Sequence, residues 1–250
     1  MCPRVKMTEA RRHKNFWVYM NTRPNLVTEV VFIFPVLLFY HFGTHLTPVR
    51  NGVDLVSVLL AELYARVPWT VFAVNGLLVA LFFVFYLSAR KKEDFKIRMF
   101  GAVFLESLVY ALTMGTVIVV LMVFVFRIKP PGLLPGTASE WFDILFISAG
   151  AGLHEELVFR LLIFGGMVYL LEEHTSVSSF WAVLLGLAVS SVLFALAHHV
   201  PPHGEPLGLW PLVYRILAGV FFGILYRYRG LSIAVYTHMF YDVYVLGWLA

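Results

Sequence analysis

Carboxylate and imidazole side chains stand at helical spacing inside three otherwise apolar stretches of this 250-residue chain, a combination typical of acid–base chemistry. They are Glu155, Glu156 and Arg160 in the first stretch, His198 (four residues after Phe194) in the second, and His238 and Asp242 in the third. Ionisable groups are costly in bilayer hydrocarbon, so they persist where they face a protein interior or a wet cavity. Together they predict one shared active site.

The first stretch separates its two acids by helical geometry. Successive residues turn by about 100° around an α-helix, so residues four apart share a face. Glu156 and Arg160 are therefore predicted to form an ion pair that supports the site, whereas Glu155 points away from that pair. Glu155 is the candidate general base. A structural ion pair with one unexplained acid is the competing interpretation.

The other two stretches also hold residues four apart. The ring of Phe194 is predicted to stack one turn above the imidazole of His198, and Asp242 stands in the same relation to His238. A histidine at a helix end is often only interfacial, and a carboxylate beside a histidine often only accepts its proton. The order of the three groups along the chain is what indicates a site.

The composition predicts an integral membrane protein. Hydrophobic residues make up 60% of the chain and charged residues 14%, whereas soluble domains have about 25% charged residues. At about 20 apolar residues per span, we expect an all-α, polytopic helix bundle of about seven transmembrane helices, with an interfacial helix over 52–66. The single cysteine, Cys2, excludes an intrachain disulfide and a cysteine-ligated metal cluster.

The chain divides into a basic segment (1–25), N-terminal transmembrane helices (26–139) and a catalytic helical core (140–250), the last two forming one membrane domain. The expected spans are 26–43, 69–88, 100–126, 141–171, 179–199, 209–228 and 231–250. Lysine and arginine concentrate in the N-terminal tail, in the loop 89–98 and at the Arg227/Arg229 turn. The positive-inside rule therefore predicts a cytoplasmic N-terminus, and these charges do not indicate a nucleic-acid partner.

The three motifs, in this order, resemble those of the CAAX-protease and bacteriocin-processing family of intramembrane proteases, also called the Abi family. They read Glu155-Glu156-Leu-Val-Phe-Arg160, Phe194-Ala-Leu-Ala-His198 and His238-Met-Phe-Tyr-Asp242. The stretch Ala218-Gly219-Val-Phe-Phe-Gly223, with the turn after it, also looks like that family's final hairpin. The resemblance covers about 140–245, and the first 139 residues resemble no family that we can name.

The resemblance implies a membrane-embedded cavity and hydrolysis of a peptide bond near the C-terminus of a substrate. It implies that Glu155 and His198 activate a water, and that His238 and Asp242 stabilise the oxyanion or bind a metal. Asparagine is the more favourable residue at position 242, because an ionised aspartate would repel an oxyanion. Asp242 must therefore be protonated, orient His238 or coordinate a cation.

Other functions stay open at this stage. A metal-assisted protease would hold a divalent ion such as zinc with His198, His238 and Asp242, and would keep Glu155 as the base. No cofactor is favoured, and the two-histidine zinc helix is excluded because Val158 stands where its second histidine is needed. A scaffold or immunity protein without enzymatic activity and a proton-coupled transporter are the remaining alternatives.

We expect a multi-pass protein of a bacterial or archaeal cell membrane, with the lipid bilayer and a membrane-associated protein or peptide as partners. In the expected topology, Glu155 lies near mid-membrane and His198 lies at the non-cytoplasmic end of its span. A prenylated CAAX substrate would suit a site that faces the cytosol. Leader peptides, bacteriocin precursors or sorting tags would suit a site that opens to the outer side. Both substrate classes remain open.

Overall fold

The computed structural model forms a bundle of eight α-helices within the residues that it describes, which are 23–43, 46, 64–128, 141–200 and 206–249. The helices are α1 (Leu26–Gly43), α2 (Thr70–Ala89), α3 (Met99–Val120), α4 (Trp141–Gly150), α5 (Gly166–His174), α6 (Ser179–Ala197), α7 (Leu209–Arg229) and α8 (Leu231–Tyr244). Single π-helical turns extend α3 over Leu121–Val125 and α8 over Val245–Leu249.

These helices confirm the predicted all-α membrane bundle. Five helices are long and apolar enough to cross a membrane within the described ranges: α1, α2, α3 with its π-helical turn, α6 and α7. Large apolar side chains lie exposed on their outer faces, as lipid contact requires. Most of the interfacial helix predicted over 52–66 lies outside the described residues, and only Tyr64 to Arg66 is described there, as helix.

The helix that carries the first motif is widened. Between α4 and α5 the backbone forms a π-helix over Ala151–Gly165, so that Trp141 to His174 makes one continuous helical rod. The three polar residues of the first motif all lie in this wider segment. Departures from α-helical pitch are frequent at functional sites, because they redirect side chains without ending the helix. The sequence pattern did not predict this change of pitch.

Helix α8 occupies the centre of the bundle, where it packs against α3, α7, α4, α1 and the π-helical segment. The segment approaches the α8 backbone so closely that a Cβ on Gly152 would lie 2.7 Å from the carbonyl oxygen of Val235. At the start of α8, the Glu29 carboxylate accepts hydrogen bonds from the backbone N–H groups of Leu231 (3.0 Å) and Ser232 (2.5 Å). A carboxylate there satisfies donors that a helix N-terminus leaves unpaired. It thereby fixes the start of the helix that carries the third motif.

A second acid, which is partly buried, also ties helices together. Glu106 of α3 accepts two hydrogen bonds from Arg229 at the end of α7, from Nε at 2.6 Å and from Nη2 at 2.7 Å. Tyr110 donates a further hydrogen bond to the same carboxylate at 3.0 Å. A bidentate arginine–carboxylate pair is among the stronger polar contacts in proteins. This pair gives a structural role to Glu106, an acid that lies within the third expected span, 100–126.

Helices α6 and α7 pack antiparallel through two glycines four residues apart. A Cβ on Gly219 would lie 2.9 Å from Cα of Ser191, and one on Gly223 would lie 2.3 Å from a methyl carbon of Leu187. Glycines at this spacing let membrane helices approach closely. Because residue numbers rise along α7 as they fall along α6, the end of α6 that leads to His198 lies beside the start of α7. It is therefore at the other end of the bundle from Arg229.

The described start of the chain, from Arg23 on, meets the loop 89–98 and the Arg227/Arg229 turn at one end of the bundle. Asn25 donates to the backbone oxygen of Asp94 at 2.9 Å, and the N–H of Lys96 donates to Thr28 Oγ1 at 3.2 Å. Arg23 donates to the backbone oxygen of Arg227 at 3.4 Å. The start of α1, the loop after α2 and the turn between α7 and α8 therefore form one basic end.

Candidate active site

The carboxylate of Glu155 lies between the two histidines of the later motifs. Its Oε2 is 3.5 Å from Nε2 of His198 and 3.9 Å from Nε2 of His238. The side chains of Glu155 and His238 are 5% and 3% exposed, whereas those of His198 and Asp242 are 17% and 19% exposed. The site is therefore a buried acid–imidazole cluster that is reached from the side of His198 and Asp242.

Both imidazoles commit Nδ1 to a fixed acceptor. His198 Nδ1 lies 2.8 Å from the backbone oxygen of Phe194, and His238 Nδ1 lies 2.8 Å from Oε1 of Glu156. With the Nδ1–H group donating to these oxygens, a neutral ring carries its lone pair on Nε2. Both Nε2 atoms face the carboxylate of Glu155, where a proton can be exchanged.

Glu156 links the first motif to the third. The predicted ion pair is present, because Glu156 Oε2 lies 3.1 Å from Arg160 Nε with both side chains fully buried. Its angle does not make it a hydrogen bond, and within the described residues the three guanidinium nitrogens of Arg160 have no hydrogen-bond partner. The other oxygen of Glu156 accepts from His238. Glu156 therefore balances a buried cation and orients an imidazole at the same time.

Asp242 lies beside the ring nitrogen that faces the cavity. Its Oδ2 is 3.6 Å from His238 Nε2, which is too long for a direct hydrogen bond. The four-residue spacing of the third motif offers Asp242 as a residue that orients the His238 ring. In the structure, Glu156 makes the short contact to that ring instead. Because Asp242 is also more exposed than Glu155, it stands at the entrance of the site.

Phe194 supports the site through both its ring and its backbone. Its ring centroid is 4.7 Å from that of His198 at an interplanar angle of 59°, so the predicted contact is tilted rather than stacked. The guanidinium carbon of Arg160 lies 4.2 Å from the same centroid. A cation over an aromatic face is attracted by the ring quadrupole, most strongly where water is absent. Phe194 thus replaces water around a buried cation and also accepts the hydrogen bond of His198.

Several groups at the site were missed by the sequence reasoning. Phe222 of α7 stacks on His238, with ring centroids 4.4 Å apart. Tyr214 and Tyr241 share a short hydroxyl contact beside Asp242, and the charge of Arg215 acts on both His198 and Asp242. An aromatic or basic residue in α7 carries no local signal of such a role. Only the 3.6-residue period that places Arg215 and Phe222 on one face could have indicated them.

His154 precedes the catalytic acid candidate but faces another part of the bundle. Its Nδ1 donates to the backbone oxygen of Gly150 at 3.1 Å, and its ring packs near Tyr40 and His41. Within the described ranges, no group of three or more His, Cys, Asp or Glu side chains is arranged to hold a metal ion.

The fold and the site together define a multi-pass helical membrane protein with a buried glutamate–histidine centre. Residues 137–244 match a protein-family model described as type II CAAX prenyl endopeptidase Rce1-like. The match spans all three motifs, so it confirms the resemblance of this part of the chain to the CAAX-protease family. No curated protein and no solved structure matches the chain significantly. The family implies a protease that acts on a protein or peptide at the membrane.

Proposed function

We propose that this protein is an intramembrane endopeptidase in which Glu155 activates the water that hydrolyses a peptide bond near the terminus of a membrane-associated protein or peptide. The observation that carries the proposal is the position of the Glu155 carboxylate between the Nε2 atoms of His198 and His238. An ionised carboxylate has about four lone-pair sites, so it can accept a water proton in addition to its protein contacts. The family match supports the class of reaction.

In the proposed reaction, Glu155 takes a proton from water while the oxygen of that water attacks the carbonyl carbon of the substrate. His198, whose Nε2 faces the carboxylate, orients the water by accepting a hydrogen bond from its second proton. A cationic His238 donates from Nε2 to the oxyanion of the tetrahedral intermediate, where a fixed donor contributes most to the rate. The proton held by Glu155 then passes to the leaving amine as the C–N bond breaks.

Asp242 separates two versions of this mechanism. In the metal-free version that we propose, Asp242→Asn replaces a negative charge near the oxyanion with a neutral amide, so activity should be kept or raised. In the metal-assisted version, the same change removes an anionic ligand and should lower activity. The measurement is turnover of purified wild type and variant before and after dialysis against a chelator. Loss of wild-type activity on dialysis, with recovery on adding zinc, would overturn the metal-free version.

We propose that the basic end of the bundle faces the cytosol and that substrate enters from the opposite side. The positive-inside rule supports the cytosolic position of the basic end. His198 follows the end of α6 that lies away from the basic end, which supports entry of the substrate from the opposite side. In a Cys2→Ser background, Lys92→Cys and Val200→Cys should therefore react with an impermeant thiol reagent from opposite sides of the membrane. Both positions are exposed. Labelling of both from one side would refute this orientation.

The experiment that tests the function is mass spectrometry of the termini of membrane proteins and secreted peptides. Cells with and without the active protein should differ in the termini of a small set of membrane-associated chains. A change at lipid-modified C-termini would indicate a prenylated substrate class, and a change at leader peptides would indicate a processing enzyme of the outer side. Identical termini in both cultures would contradict a protease and would favour a scaffold or immunity protein.

A further inference from the structure

Phe222 lies outside the three motifs, yet its ring contacts two of their polar groups. The ring is 1% exposed, and it stacks on the imidazole of His238 with centroids 4.4 Å apart and an interplanar angle of 18°. The guanidinium carbon of Arg160 lies 5.3 Å from the same ring centroid. Both groups are also in contact with Glu156. Phe222 is therefore the apolar surface against which the Glu156 cluster is assembled.

The contacts of His238 show what this stacking adds. The hydrogen bond to Glu156 is made by Nδ1, which is the ring nitrogen next to the carbon that carries Cβ. A hydrogen bond tolerates about 30° of misalignment before it weakens, so this contact alone leaves the ring some freedom to tilt. Nε2 is at the far side of the ring, so a tilt of the ring displaces it. A face-to-face contact with Phe222 opposes that tilt. The hydrogen bond sets which nitrogen is protonated, and the stacking sets where Nε2 points.

The backbone of α7 holds Phe222 at this distance. Gly219 and Gly223 flank it and pack directly on Ser191 and Leu187 of α6, where a Cβ on either glycine would collide. This close packing fixes α7 against the helix that leads to His198. The glycine pair and Phe222 thus belong to one structural unit that sets the distance between the second and third motifs.

We propose that Phe222 is a positioning residue of the active site, which holds the plane of the His238 imidazole so that Nε2 faces Glu155 and the reacting carbonyl. The inference rests on the proposed function for its catalytic consequence. The orientation of the His238 imidazole by the Phe222 ring does not depend on the proposed function, because it is inferred from the contacts of Phe222. A residue with only a packing role would affect stability and leave the orientation of His238 unchanged.

The kinetic test compares three variants of adjacent residues. Phe222→Leu keeps an apolar side chain but loses the flat face, and a displaced catalytic group should lower kcat by about tenfold with KM little changed. Phe222→Tyr keeps the face and should restore most of kcat. Phe221→Leu is the matched control, because Phe221 contacts Phe222 and Tyr110 and is only partly buried. A Phe222→Leu variant with the kcat of the Phe221→Leu control would overturn the proposal.

A spectroscopic measurement tests the position of the ring without any substrate. In histidine-labelled protein, the nuclear Overhauser contacts from the His238 ring protons to neighbouring side chains, assigned by their absence in His238→Gln, report the orientation of the ring; they should change in Phe222→Leu and stay as in wild type in Phe221→Leu. Unchanged His238 contacts in folded Phe222→Leu would overturn the proposal, even if its kcat fell. If wild type cleaves no peptide at all, the proposed function fails, and the NMR comparison by itself still decides the role of Phe222.

Discussion

Glu155→Gln is expected to lower peptide cleavage by about 100- to 10,000-fold, the range that a general base contributes. The change keeps the size of the side chain and its hydrogen-bonding oxygen, but the amide cannot take a proton from water. KM should change little, because Glu155 acts on water rather than on the substrate. The measurement is steady-state turnover of purified protein in detergent or lipid, together with a melting curve.

Glu106→Gln is the matched control for this result. Glu106 is also an acid within the bundle, in helix α3 that packs against α8, and its partner Arg229 lies at the basic end, away from the site. The control should lower stability and leave turnover per folded molecule unchanged. A Glu155→Gln variant with wild-type turnover would eliminate Glu155 as the base. It would then favour the structural interpretation of the first cluster.

Glu156→Ala is expected to lower both stability and activity, for two separable reasons. Arg160 would keep aromatic faces and the charge of Glu155 but would lose its ion-pair partner, and removing one partner of a buried ion pair costs about 3–5 kcal/mol. His238 would also lose the acceptor of its Nδ1–H group. We therefore expect a lower melting temperature and a large loss of kcat, measured by thermal unfolding and turnover.

The double variant Glu156→Ala/Arg160→Met separates these two reasons. Replacing both members of a buried ion pair with apolar groups is often neutral for stability. The double variant should therefore regain much of the lost melting temperature while kcat stays low, because His238 still lacks its acceptor. Recovery of activity together with stability would show that Glu156 acts through Arg160 alone. It would then have no role in orienting His238.

The sequence by itself determined the helices of this protein. Apolar runs of about 20 residues, bounded by charged or helix-breaking residues, can only be helices in lipid, because the backbone must satisfy its own hydrogen bonds there. The first expected span, 26–43, coincides with Leu26–Gly43, and the other spans lie within a few residues of the observed helices or helical rods. The contact between Glu156 and Arg160 was equally predictable, since four-residue spacing is local.

Only the tertiary structure decided which groups meet across helices. Glu156 and His238 are 82 residues apart, and no local pattern shows that the acid paired with Arg160 also binds the third motif's imidazole. The same holds for the Phe222 ring under His238 and for Glu29 at the start of α8. These contacts depend on the register and rotation of packed helices. Helix packing sets both through close approaches such as those of Gly152 and Gly219, whereas the apolar pattern of each span only sets where the helix lies.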